Sequence, residues 1–238
     1  MALKKQLDAW YRKISRPEFI ASDPVRFPRR FSSPADVEIA AFLASAIAWG
    51  RRDLILRSAG RMFSLMGASP YDYVMSGGWK KLGTLCVHRT FFENDLAYFC
   101  KGLRFCYKKY GALEALFSGG VWGGISRFRN EMASANGGKY TKHIADPEAG
   151  SACKRLNLAL RWLVRSDAVD MGLWKSISPA ALYIPLDLHV ARTALGLGLL
   201  ERANGRKAAA ELTEKLRDFC PEDPVKYDFA LFGMGVNS

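Results

Sequence analysis

The 238-residue sequence has few cysteines and histidines, and it lacks any long apolar run. Its five cysteines form no C-x-x-C pair and have no neighbouring histidine ladder; they stand at positions 86, 100, 106, 153 and 220. This excludes the common zinc and iron–sulfur patterns, so we expect no metal or cofactor and predict reduced, mostly buried thiols. No stretch approaches the ~20 continuous apolar residues of a membrane span, and the N-terminus MALKKQLDAWYRKISRP lacks a signal-peptide core. We therefore expect a cytoplasmic protein.

Acidic residues are also scarce. The sequence has 35 Lys and Arg against 23 Asp and Glu, a formal net charge of +12. A charge this far from neutral favours a polyanionic partner, and nucleic acid and an acidic membrane surface both qualify. Hydrophobic residues make up 49% of the chain and aromatic residues 12%, which is ample material for a buried core.

No segment alternates convincingly as a strand, whereas helical periodicity runs through nearly the whole chain. The clearest helix has Ser33 as its N-cap, Pro34 at its first position and Gly50 at its end. Fixed-period repeats, low-complexity tracts and long linkers are absent from the sequence. It therefore predicts an all-α fold with one helical domain over residues 1–238, in two lobes of about 1–140 and 141–238 that divide near ANGGKYTKHIADPEAG.

The run IPLDLHVARTALGLGLL, residues 184–200, places one aspartate where a helix begins. Asp187 is predicted to be the N-cap, where its side chain accepts a backbone N–H bond worth ~1 kcal/mol. Capping alone would account for this residue. A second role depends on what the rest of the chain brings close to it.

Upstream, Lys154 lies in the first turns of a predicted helix with an apolar leucine face. A lysine near a helix N-terminus opposes the macrodipole at a cost of ~0.3–1 kcal/mol, and the same field favours the neutral amine, which is the nucleophilic form. The alternative is an exposed lysine that forms a basic pair with Arg155 and touches solvent or a phosphate. Both interpretations remain open from the residues alone.

These segments resemble the helix-hairpin-helix DNA glycosylase superfamily, in which a V-P-V-D-x-H-V-x-R pattern carries the catalytic aspartate. Asp187, His189 and Arg192 lie on that pattern. Lys154 precedes Asp187 by 33 residues, which is similar to the archaeal 8-oxoguanine glycosylase branch. The chain also resembles a bacterial family that is catalogued as of unknown function and is grouped with these enzymes. The resemblance is carried by the segments DPVRFPRRF, GSACKRLN and DPVKYDFALFG, and it runs from about residue 23 to the end.

The resemblance implies a helix-hairpin-helix glycosylase-like fold with two helical lobes and the site between them. It further implies that Lys154 attacks C1′ of a damaged nucleotide and forms a Schiff base, while Asp187 stabilises the developing positive charge. The chain departs from the superfamily at the hairpin, where EAGSACK retains Gly150 but has no glycine nearer the lysine. The four-cysteine cluster of the endonuclease III type is also absent.

Further residues are predicted to contact DNA, and for each of them a purely structural role is the alternative. Trp49 would enter the gap left by a flipped base, and the other expected DNA contacts are Arg51, Arg52, Gly150, Arg155, His189 and Arg192. A base pocket would include Trp162, Trp174, Phe229 and Phe232. The alternatives are a solvated turn for the arginines, a packing role for the histidine and core positions for the aromatic residues.

Two classes of function follow from these residues. The first is a DNA glycosylase with AP-lyase activity, and the archaeal likeness points to an oxidised base of the 8-oxoguanine kind. The second is a catalytically inactive helical DNA-binding protein, in which Asp187 only caps and Lys154 only touches phosphate. In either case the expected partner is double-stranded DNA, with a damaged base or an abasic site for the enzyme, and we expect a monomer.

Overall fold

The computed structural model describes residues 2–236, which fold mostly into helices and confirm the predicted all-α class. None of the helices in this range is both long and apolar enough to cross a membrane. In chain order the α-helices are α1 (Ala2–Ile14), α2 (Pro17–Ala21), α3 (Pro34–Ala46), α4 (Arg52–Met66), α5 (Pro70–Ser76), α6 (Glu93–Tyr110), α7 (Val121–Ala135), α8 (Lys154–Val164), α9 (Leu188–Gly196), α10 (Gly205–Arg217) and α11 (Tyr227–Val236).

One short β-hairpin departs from the predicted absence of strands. Strands β1 (Cys86–His88) and β2 (Phe91–Phe92) pair antiparallel. Arg89, in the turn between them, has φ 54°, a left-handed conformation that is uncommon outside glycine. Strands of two or three residues are too short for an alternating pattern to be recognised, which is why the sequence does not reveal them.

Helix α3 begins as predicted and ends earlier. Ser33 is the N-cap in an extended conformation and Pro34 is the first helical residue, but the last is Ala46 rather than a residue next to Gly50. Every residue from Asp36 to Ala46 is buried. A helix covered on all sides lies inside its unit, and α3 is therefore central to the packing around it.

A turn interrupts the helical segment after α6. The chain forms a 3-10 helix at Glu114–Phe117, and α7 begins only at Val121. The break lies at Gly120, which has φ 99°. Glycine adopts that conformation at no steric cost, so the chain changes direction there instead of continuing as one helix.

The chain divides into two compact units. The central unit is Ile20–Ala145, and the terminal unit combines Met1–Phe19 with Asp146–Ser238. The boundary after Ala145 falls inside the segment where the sequence predicts a division. However, α1 belongs to the unit formed by the C-terminal part of the chain, not to a lobe of about residues 1–140.

The terminal unit is built around α11, which packs against both α1 and α9. Small residues allow these close approaches. A Cβ added at Gly233 would lie 2.4 Å from Ile14 Cγ1, and one added at Gly235 would lie 2.6 Å from Thr193 Oγ1. The apolar core of this unit includes Leu7, Ile184, Val190, Leu212, Tyr227 and Leu231. This packing fixes α9, the helix that Asp187 precedes.

All five cysteines are unpaired, as predicted. Three of them, Cys100, Cys106 and Cys153, are buried, whereas Cys220 is half-buried and Cys86 is exposed. Burial raises the pKa of the Cys106 thiol to about 12. The buried thiols therefore stay protonated and behave as small apolar side chains.

The contact between α7 and the preceding 3-10 helix leads to a stability prediction. A Cβ at Gly124 would lie 2.3 Å from Phe117 Cδ1 and 2.8 Å from Phe117 Cα, so backbone would have to move. We expect Gly124→Ala to lower the free energy of unfolding by about 1–3 kcal/mol, measured by urea denaturation. Gly123→Ala is the matched control, because a Cβ there has nothing within 4 Å and should stabilise α7 by up to about 1 kcal/mol. Equal stability of the two variants would contradict the prediction.

Candidate active site

Lys154 is the first residue of α8 and follows a strained turn. Cys153 has φ 46° and ψ 41°, a left-handed conformation that costs a non-glycine residue ~1–3 kcal/mol. Two hydrogen bonds hold this turn. Cys153 N–H donates to Ser151 Oγ at 3.1 Å, and Asn157 Nδ2 donates to the Ala152 carbonyl at 2.9 Å. The turn therefore fixes where α8 begins and where the Lys154 side chain starts.

Asp187 is the N-cap of α9, as the sequence predicts. Its backbone is extended, with φ −110° and ψ 179°, and its Oδ1 accepts a hydrogen bond of 2.8 Å from Val190 N–H. The segment leading to it is anchored by Ile184 N–H, which donates to Thr213 Oγ1 of α10 at 3.1 Å. Local capping and a tertiary hydrogen bond together hold the carboxylate in place.

The second oxygen of Asp187 faces Lys154. Lys154 Nζ and Asp187 Oδ2 are 3.4 Å apart, and the two side chains are 33% and 21% exposed, respectively. The starts of α8 and α9 therefore meet, and one carboxylate both caps a helix and contacts the lysine. Both side chains keep some access to solvent, so a ligand can reach them.

The surface of α9 next to this pair is open. His189 and Arg192 are exposed, and so are the apolar side chains of Leu188 and Leu195. We call these four residues the α9 surface. The packing role that the sequence also allowed for His189 is wrong, because its side chain faces solvent.

The segment before α8 consists of turns rather than a helix. Gly150 is exposed with φ 85°, and its carbonyl accepts a hydrogen bond of 2.7 Å from Arg206 N–H at the start of α10. Arg155 is half-buried, and burial lowers the pKa of its guanidinium. The lysine-bearing helix is thus preceded by a turn docked on α10.

The expected base-pocket residues lie mostly in the interior. Trp162, Trp174 and Phe229 are at most 1% exposed, and Phe232 is half-buried. Phe19 packs edge-on against both phenylalanines, with ring centroids 5.4 and 6.2 Å away. The core positions that the sequence also allowed are thus observed for the first three, and their assignment to a base pocket is not supported.

Trp49 lies in the central unit, in the loop between α3 and α4, and is half-buried. Its ring meets the His88 ring at 81° with centroids 5.2 Å apart, and the Arg89 guanidinium lies 5.0 Å from its centroid. His88 Nε2 is 2.8 Å from the Trp49 carbonyl oxygen. The β-hairpin therefore holds this loop.

The two arginines that follow Trp49 differ in exposure. Arg51 is 76% exposed and pairs with Asp53 at 3.0 Å, whereas Arg52 is 38% exposed and lies 3.7 Å from Asp23. The exposed Arg51–Asp53 pair contributes ~0–1 kcal/mol to stability. The Arg52–Asp23 pair is less exposed, because the Asp23 side chain is only 12% exposed.

Sequence reasoning missed a row of cations on α8. Arg161 follows Lys154 by seven residues and Arg165 follows Arg161 by four, spacings that place all three on one helix face. Arg165 is the C-cap of α8, one residue past its end. This spacing can be read from the segment KRLNLALRWLVR. However, nothing in the local sequence indicates that Arg161 and Arg165 are buried.

Carboxylates surround the two arginines: Asp170 and Asp228 are buried, whereas Asp167 and Asp223 are partly exposed. Arg161 Nη1 donates to Asp228 Oδ2, and Arg161 Nε is 3.3 Å from Asp170 Oδ1. Arg165 donates to both oxygens of Asp223, at 2.8 and 2.9 Å, and to Asp167 and Asp170. Four carboxylates thus share two guanidinium groups.

Burial and the neighbouring guanidinium groups shift the pKa values of these carboxylates. Burial raises the pKa of Asp170 to about 7 and that of Asp228 to about 6, although Arg161 opposes both shifts. Asp167 is also desolvated, but Arg165 and two backbone N–H groups outweigh this and lower its pKa. Within residues 2–236, no group of three or more His, Cys, Asp or Glu side chains could hold a metal ion.

Comparison with known proteins gives one family match. A family model described as "Protein of unknown function (DUF2400)" matches residues 23–237. No curated protein and no solved structure matches the chain.

The buried carboxylates predict how stability depends on pH. The pKa of Asp170 rises from 3.8 to about 7 on folding, so its proton stabilises the fold fully below about pH 4, and this contribution is lost as the pH rises to about 7. Asp170→Asn removes that dependence. We therefore expect its free energy of unfolding, relative to wild type, to increase across this window, with ~1.4 kcal/mol for each pKa unit as the scale. Urea denaturation at several pH values measures it.

Asp167→Asn is the control of opposite sign. Because folding lowers the pKa of Asp167, its charge stabilises the fold above its ordinary pKa, and this stabilisation is lost as the pH falls through the lower value. The relative stability of this variant should decrease as the pH rises through the acid range. Parallel curves for the two variants would contradict the prediction that the two pKa shifts have opposite signs.

Proposed function

The chain belongs to the family described as protein of unknown function (DUF2400), and from this premise we propose that it is a DNA glycosylase with AP-lyase activity that acts through a lysine Schiff base. The observation that carries the proposal is the 3.4 Å contact between Lys154 Nζ and Asp187 Oδ2. These are the lysine and aspartate of the motif that resembles helix-hairpin-helix DNA glycosylases. The proposal includes that superfamily's fold as the finer description of the helical architecture.

The surroundings of the pair support a reaction with an extended, anionic substrate. Lys154 and Asp187 are partly exposed, and the α9 surface beside them carries His189 and Arg192. The net charge of +12 favours the phosphate backbone of DNA. The apolar members of the α9 surface, Leu188 and Leu195, suit contacts with sugars and bases. Arg51 and Arg52 remain proposed phosphate contacts, and Trp49 a proposed stacking residue.

The chemistry follows from an amine beside a carboxylate. The neutral Lys154 amine attacks C1′, and the C1′–N bond breaks with its electron pair leaving on the damaged base, which takes up a proton. The Asp187 carboxylate stabilises the positive charge on the sugar in the transition state. Ring opening and loss of a proton give the imine. Loss of a C2′ proton then expels the 3′ phosphate and nicks the strand.

Borohydride trapping separates this enzyme from a catalytically inactive DNA-binding protein. Borohydride reduces an imine with abasic DNA to a stable amine, and a binding module forms no imine. We expect wild-type protein to give a covalent adduct and Lys154→Gln to give none. The same variant should keep most of its affinity for abasic DNA, because one charge among many contributes little to backbone binding.

Lys175→Gln is the matched control for the lysine. Lys175 is exposed and lies between Lys154 and Asp187 in the sequence. We expect this variant to form the adduct at the wild-type rate. If the adduct persists in Lys154→Gln and disappears in Lys175→Gln, the nucleophile has been assigned to the wrong lysine.

Asp187→Asn separates the two roles of the aspartate. Asn also accepts an N-cap hydrogen bond and ranks with Asp at this position, so the variant should melt within a few degrees of wild type. It removes the charge, and we expect base release to slow by ~100-fold or more in a single turnover. Asp187→Ala should lose both stability and rate. Equal rates for wild type and the Asn variant would mean that the aspartate is only a cap.

A further inference from the structure

Three unfavourable features coincide at the start of α8. Cys153, the N-cap, has a left-handed backbone, whereas an N-cap is normally extended, as Asp187 is for α9. Lys154 follows it in the first turn, where a cation opposes the helix macrodipole. One turn further on, Asn157 is 1% exposed, and its buried Oδ1 has no hydrogen-bond partner within residues 2–236. A helix start chosen only for stability would have none of these features.

Asn157 holds the peptide groups on both sides of Cys153. Its backbone N–H donates to the Cys153 carbonyl oxygen at 3.0 Å, which is the ordinary first bond of the helix. Its side-chain Nδ2 donates to the Ala152 carbonyl oxygen at 2.9 Å, which is an additional constraint. The φ and ψ angles of Cys153 describe how these two peptide planes are turned against each other. One residue therefore fixes the left-handed conformation of Cys153.

The conformation of Cys153 decides the direction in which the Lys154 side chain leaves the backbone. A non-glycine residue prefers the right-handed or the extended region, and a change to either would rotate the start of α8 against the preceding turn. That turn is held on α10, because the Gly150 carbonyl oxygen accepts a hydrogen bond of 2.7 Å from Arg206 N–H. In the observed conformation, Lys154 Nζ lies 3.4 Å from Asp187 Oδ2. A misplacement of about 1 Å can slow a reaction by ~100-fold.

We propose that Asn157 is a positioning residue for Lys154: its side-chain amide holds Cys153 in the left-handed conformation from which the lysine amine meets Asp187. This inference rests on the proposed Schiff-base function. Asn157 is too deeply buried to contact DNA, so it acts through the turn alone. The strained backbone and the unpartnered oxygen are then explained, because local stability is given up where a reacting group must be held in one place.

The test is the rate of borohydride-trapped adduct formation on abasic duplex, in single turnover over a range of DNA concentrations. Asn157→Ala removes the side-chain hydrogen bond and leaves the backbone bond. We expect its maximal rate to fall by ~10- to 100-fold, because the lysine amine is no longer held in place. The DNA concentration that gives half of this rate should stay within about twofold of wild type, since no contact with DNA is lost.

A second substitution, Cys153→Gly, distinguishes positioning from a general loss of packing. Glycine adopts a left-handed φ at no steric cost, so the turn no longer needs the amide. The double variant Asn157→Ala/Cys153→Gly should therefore recover to within about threefold of the wild-type rate. Asn157→Ala/Cys153→Ala is the matched control. It removes the same thiol but keeps a Cβ, and it should remain as slow as Asn157→Ala.

Asn136→Ala controls for the loss of an amide elsewhere in the chain. Asn136 Nδ2 also donates to backbone carbonyl oxygens, those of Tyr98 and Met132, at 3.1 and 2.8 Å. However, Asn136 lies at the end of α7 in the central unit. This variant should melt at a lower temperature than wild type and keep the wild-type rate of adduct formation.

The possible outcomes decide separate questions. A wild-type protein that forms no adduct refutes the proposed function, and the role of Asn157 with it. If wild type forms the adduct, an unchanged rate in Asn157→Ala overturns the inference alone, and so does a double variant with Cys153→Gly that is no faster than the one with Cys153→Ala. If Asn157→Ala shows no cooperative melting, Asn157→Val decides, because valine fills more of the space and donates no hydrogen bond. A wild-type rate in that variant also overturns the inference.

Discussion

The pairing of buried Arg161 holds the terminal unit together. A guanidinium without partners in the interior would cost several kcal/mol, so the fold must deliver carboxylates to it. It receives Asp228 from the first turn of α11 and Asp170 from the segment after α8. Arg161 and Lys154 belong to the same helix, so these ion pairs anchor α8 two turns after the candidate nucleophile.

Helix ends are the second element of the site. Lys154 begins α8 and Asp187 precedes α9, and each position has a local reason in the backbone, a left-handed turn at Cys153 and a capped first turn at Val190. An N-cap carboxylate uses only one oxygen for the helix. The other is free to contact a cation, which explains how a residue needed for folding can also serve chemistry. Function at Asp187 therefore adds to capping rather than competing with it.

The distribution of charge differs between the surface and the interior. The chain carries a net charge of +12, yet in the terminal unit four carboxylates, two of them buried, share two buried guanidinium groups. Exposed cations such as Arg192 favour an anionic partner from outside. The proposed reaction uses the exposed cations, since its substrate is a polyanion.

The sequence by itself determined the features that depend on neighbours within a turn or two. The all-α class, the start of α3 at Pro34 and the capping role of Asp187 follow from periodicity, proline and N-cap chemistry, which act locally. The tertiary structure decided which distant residues meet. Arg161 and Asp228 are 67 positions apart, and α1 packs on the last helix of the chain. No local pattern records such contacts, because a buried ion pair forms only where helix packing excludes water from both partners.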